Sequence, residues 1–103
     1  MQVLNLTEYD EQGDVFGHPE QIEMDIVTKD GLLIICEIKS STSKEDMYIL
    51  EHKARFYEKL HNRTIDRIMV ISPTLGKGAQ AAADSLDIQT YSYADTVDPE
   101  IFD

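Results

Sequence analysis

The sequence has a single cysteine, few basic residues and no long apolar run, and each shortage excludes something. Cys36 alone can form no internal disulfide and build no thiolate zinc site. Its position at the end of an apolar run implies a reduced, buried thiol. That run, Leu32 to Cys36, is the longest in the chain at five residues, far short of the roughly 18 that a membrane-spanning helix needs. The start, Met1-Gln2-Val3-Leu4-Asn5, lacks the basic patch and apolar stretch of a secretory signal, so a cytoplasmic protein is expected. Nine Lys and Arg residues stand against twenty Asp and Glu, a formal net charge of -11, which disfavours a nonspecific nucleic-acid binder held by bulk charge.

What is present is ordinary globular composition, 42% hydrophobic and 28% charged over 103 residues, enough for one core and too little for two domains. Residues 1–93 are read as one domain and residues 94–103 as an acidic C-terminal tail. The charge is uneven. Residues 1–30 carry eight acids and one base, whereas residues 31–60 carry five of each. An anionic ligand is therefore expected against the middle third, where Lys39, Lys44, Lys53, Arg55 and Lys59 lie, with Lys44 and Lys53 as candidate nucleic-acid contacts.

Patterning predicts seven elements. A first strand covers about Met1 to Tyr9, and Gly13, Gly17 and Pro19 mark a turn-rich connection after it. Gln21–Thr28 and Leu32–Lys39 alternate as two strands of a hairpin. Ser43 with Asp46 three residues on forms a helix-start signature, and Met47, Leu50, Ala54 and Tyr57 recur on one face up to about His61. Ile65–Ser72 reads as a strand buried on both sides, Lys77–Leu86 as an alanine-rich helix, and Ile88–Tyr93 as a last strand. The fold class is α/β, a mixed central sheet flanked by helices in a sandwich.

The hairpin decides the chemistry. A three-residue loop, Lys29-Asp30-Gly31, superposes the two fully apolar strand faces, setting Asp25 against Ile35 and Glu23 against Glu37. A two-residue Asp30-Gly31 loop shifts the pairing by one and sends Asp25 and Glu37 to opposite faces. With the preferred three-residue loop, Glu23, Asp25 and Glu37 lie close enough to share one ion, with Lys39 a step further along. Like charges so placed need a cation, and hard carboxylate oxygens suit Mg2+ or Mn2+. A metal-bound water beside an amine is a setting for phosphodiester hydrolysis. The plain alternative is a cross-strand salt bridge between Glu23 and Lys39 at a wet sheet edge.

An aspartate on one strand, a hairpin, Glu37-Ile38-Lys39 at the end of an apolar strand, then Ser40-Ser41 and an amphipathic helix together resemble the PD-(D/E)XK nuclease superfamily. The resemblance spans roughly residues 20–93. It implies a restriction-endonuclease-like three-layer sandwich and a relative of Holliday-junction resolvases. It also implies Asp25 and Glu37 as metal ligands, the Ile38 carbonyl as a third, Lys39 as the catalytic lysine and Glu23 in support. The chain departs from the family in two ways: Met24 stands where the motif has proline, and the family's first helix is missing before the first strand. Without that helix one sheet face lacks cover for Val27, Leu33 and Ile35, so a homodimer is expected. The functional expectation is a Mg2+- or Mn2+-dependent endonuclease acting on DNA; the alternative is an inactive binding or assembly module of the same fold.

Other patterns carry nothing. His18, His52 and His61 are too scattered to be a ligand set, Lys77 lacks the G-x-x-x-x-G-K-[ST] spacing of a phosphate loop, and Ser40, Ser41 and Ser43 have no histidine and acid to activate them.

Overall fold

In the computed structural model, residues 1–93 are described; the expected acidic tail, 94–103, lies outside them. The seven expected elements appear in the expected order: β1 (Gln2–Asp10), β2 (Glu20–Lys29), β3 (Leu32–Ile38), α1 (Lys44–His61), β4 (Arg67–Ile71), α2 (Ala79–Ser85) and β5 (Ile88–Tyr91). The strands form one sheet in sequence order, β1-β2-β3-β4-β5. β1, β2 and β3 are antiparallel neighbours, and β3, β4 and β5 run parallel, so the sheet is mixed.

Both parallel connections step the same way across the sheet. Right-handed crossovers in one direction place their helices on one face, and α1 and α2 do share a face and a core. Ile22, Met24 and Ile26 of β2, Leu33 and Ile35 of β3, and Ile68 and Val70 of β4 pack there against Met47, Leu50, Ala54 and Tyr57 of α1 and Ala79, Ala82 and Ala83 of α2. The opposite face carries a smaller cluster, Val27, Ile34, Cys36, Met69 and Ile71 with Tyr91 against it, and no helix among the described residues. Val27, Leu33 and Ile35, whose exposure was the argument for a homodimer, are all buried within the chain. Cys36 is buried too, as expected.

The start of α1 follows its sequence signature. The Ser43 hydroxyl accepts from the Asp46 amide at 3.1 Å, and the Asp46 carboxylate accepts from the Ser43 amide at 2.9 Å, a reciprocal capping box. Asn62 ends the helix in the left-handed conformation. α2 begins two residues later than expected, because Gly78 takes φ 79° and delays the first helical turn.

The hairpin corrects the preferred loop. The observed register pairs Asp25 with Cys36, Ile26 with Ile35 and Lys29 with Leu32, leaving Asp30-Gly31 as a two-residue turn. Both turn residues have positive φ, 51° and 82°, the pair of conformations that matches the twist of flanking strands. Apolar alternation misled because both faces of β3 are apolar and both are buried, so pattern alone could not separate two registers one residue apart.

Candidate functional site

The register sets where the carboxylates go. Glu23 does not face Glu37, and Asp25 does not face Ile35; both expected pairings are overturned. Asp25 leaves β2 on the face of Val27 and Cys36, whereas Glu37 leaves β3 on the helix face. The two acids nevertheless come to one place, because the β2–β3 ladder ends at Asp25 and Cys36. Beyond that point the first half of β2 pairs only with β1, and the end of β3 only with β4. The strands part there, and a cleft of about 190 Å³ opens, lined by Glu23, Asp25, Cys36, Glu37, Ile38 and Lys53 together with the core side chains Met24, Ile35 and Leu50.

The Cys36 thiol registers that convergence: burial first, then the negative charges of Asp25 and Glu37, push its pKa up to about 11. Asn5 stands opposite Asp25 in the β1–β2 ladder and donates its side-chain amide to the Asp25 carboxylate. Glu37 is met by Lys53 of α1, with Nζ 3.4 Å from Oε1. Lys39 turns elsewhere, to Asp46 at 3.2 Å, and does not line the cleft. Asp46 therefore has two duties, capping α1 and holding Lys39. Burial opposes its charge, but hydrogen bonds from Ser43 and Lys39 outweigh that and lower its pKa.

The remaining bases of the middle third are mostly occupied by internal partners. Arg55 bridges Glu51 and Glu58, and Lys59 reaches Asp14 at 3.2 Å. Lys44 is exposed at the start of α1.

Among the described residues no three or more His, Cys, Asp or Glu side chains form a group suited to a metal. A three-carboxylate site is thus absent, and Glu23 does not complete one. Two carboxylates do suit Mg2+, which keeps most of its waters and takes one or two protein carboxylates with substrate phosphate. The donor chemistry fits: Asp25, Glu37 and the neighbouring Ile38 carbonyl offer hard oxygens only. The charge fits as well, since Glu23, Asp25 and Glu37 line the cleft against the single ammonium of Lys53.

Three residues of the site were not singled out for these contacts in the sequence. Asn5 was out of reach because the pairing partner of β1 was unassigned. Asp46 was read only as a cap. Lys53 did leave a signal, falling one turn after the buried Leu50 and so at the margin of the apolar stripe of α1.

Residues 20–89 match the sequence model of the PD-(D/E)XK nuclease superfamily. The chain belongs to this superfamily. Among solved structures a similar fold is found in EndoMS in its apo form, with 14% identity, a TM-score of 0.53, and 67% of this chain and 32% of that chain covered. A repair endonuclease from Pyrococcus abyssi is similar at 16% identity, with a TM-score of 0.54 and 84% of this chain and 37% of that chain covered. The chain therefore spans about a third of the length of each. No curated protein sequence matches. The described helices include none long and apolar enough to cross a membrane.

Proposed function

We propose that this superfamily member is a divalent-metal-dependent nuclease that hydrolyses DNA phosphodiester bonds. The observation that carries the reading is that Asp25 and Glu37, on strands of opposite direction, line one cleft at the point where those strands part. In this reading Asp25, Glu37 and the Ile38 carbonyl hold Mg2+ or Mn2+, and Glu23 adds negative charge at the rim. When bound, the cation supplies an acidified water and neutralises charge on the phosphate. The chain's own residues do the rest. Asn5 fixes the Asp25 carboxylate by hydrogen bonding, and the parted strands leave room for a phosphate beside both acids. Lys39, released from Asp46, steadies the attacking water or the developing charge. In the same reading Lys44, exposed at the head of α1, meets the nucleic-acid backbone.

Incubation of plasmid and oligonucleotide DNA with Mn2+ or Mg2+ tests this, with Asp25→Asn and Glu37→Gln as the decisive variants. Cleavage by the parent and loss of at least about a hundredfold in either variant is expected, the range over which removal of a charge-stabilising group acts. A parent that neither binds Mn2+ calorimetrically nor cuts DNA refutes it.

One observation favours the second reading, a nuclease-fold binding or assembly module. The two carboxylates leave their strands on opposite faces, and Lys39 is tied to Asp46 rather than to the cleft. That reading expects no heat on Mn2+ titration and no functional loss in Asp25→Asn.

A further inference from the structure

The amine inside the carboxylate cleft comes from the helix and not from the E-x-K motif. Lys53 is the most covered of the ion-paired bases among the described residues, its side chain 13% exposed against 37% for Lys39 and 64% for Lys59. An ammonium so covered persists because a carboxylate faces it, here Glu37 at 3.4 Å. Lys53 also lines a second, larger groove with Phe16, Glu20, Gln21 and Glu23, so it stands where that groove meets the cleft. Four methylenes and three rotatable donors let such an amine swing between the two without moving the helix.

We propose that Lys53 is the working amine of this cleft: it neutralises Glu37 while no metal is present, yields that oxygen to an incoming divalent cation, and then presents its ammonium to the substrate phosphate at the cleft mouth. The inference rests on the nuclease reading above and deepens it. A cation and an ammonium compete for the same carboxylate, so the amine resists metal loading and, once displaced, stands at the cleft mouth beside the groove that Glu20 and Glu23 line. Lys39, paired with Asp46 outside the cleft, takes no part in this exchange at Glu37.

The test compares the parent with Lys53→Met and Lys53→Arg, in the full chain, by calorimetric titration with Mn2+. A second measurement follows the binding of a short fluorescein-labelled DNA duplex in Ca2+ over a range of salt concentrations. Lys53→Met removes the competing charge and keeps an apolar stem, so Mn2+ should bind about fivefold more tightly, the upper end of what a surface ion pair contributes. The salt dependence of duplex binding should fall by about one counterion, the signature of one lost phosphate contact. Lys53→Arg should return both towards the parent. A lysine that only braces the fold gives the opposite sign, because loosening the site weakens metal binding. If the parent binds Mn2+ and Lys53→Met binds it equally or less tightly, or the salt dependence is unchanged, the role given to Lys53 is wrong while the nuclease reading stands. A parent that binds no Mn2+ overturns both.

Discussion

Asp46→Ala removes two contacts at once, and the structure allows their cost to be worked out. The first is the capping box at the start of α1, in which Asp46 accepts from the Ser43 amide at 2.9 Å; losing such a cap costs about 1 kcal/mol. The second is the ion pair with Lys39 at 3.2 Å. Lys39 is more than a third exposed, so that pair is discounted to a few tenths of a kcal/mol, towards the low end of about 0.2–1 for surface pairs. Together the variant should lose about 1 to 1.5 kcal/mol at pH 7, a fall in melting temperature of roughly 4–12 °C for a domain of this size. The pH dependence makes the test sharper. The Asp46 pKa is lowered from 3.8 in the folded chain, so its contribution is fully present above that value and is lost as pH falls through the folded pKa. The gap between parent and variant, measured by urea unfolding at a series of pH values, should hold from pH 7 to about 5 and close below 3.8. A variant as stable as the parent at neutral pH, or a gap unchanged in acid, would refute the assignment of both contacts to the ionised carboxylate.

Gly31→Ala places a methyl group in open space at φ 82°, so only the backbone conformation resists it, at about 1 kcal/mol, read by chemical denaturation. Gly13→Ala combines φ 71° with a contact of 2.8 Å to the His18 amide nitrogen, and should cost roughly 2–5 kcal/mol; equal losses at the two glycines would contradict the described turns. Cys36, with its thiol pKa raised to about 11, should react with iodoacetamide at pH 7 far more slowly folded than in urea, and rapid labelling of the native chain would show that the cleft is not closed over the sulfur.

Some of this protein was legible in its residues alone. Ser43 and Asp46 announce the start of α1, because a hydroxyl and an acid three residues apart satisfy helix-end amides whatever the surroundings. The α1 face of Met47, Leu50, Ala54 and Tyr57 followed from period alone, and all four are buried. The E-x-K segment was legible too, since it is a local string, and residues 20–89 match the superfamily that it suggested.

What the sequence determined by itself is the order and type of its elements, an α/β pattern with acids at Asp25 and Glu37 and a lysine at Lys39, because these depend on contacts a few residues apart. Only the tertiary structure decided which way those side chains leave the sheet. Both faces of β3 are apolar, so burial energy barely distinguished two registers, and the Asp30-Gly31 turn, which fits the strand twist, chose between them. The same long-range packing brought Asn5 to Asp25, drew Lys39 to Asp46 and set Lys53 against Glu37, pairings across 20, 7 and 16 residues that no local pattern encodes.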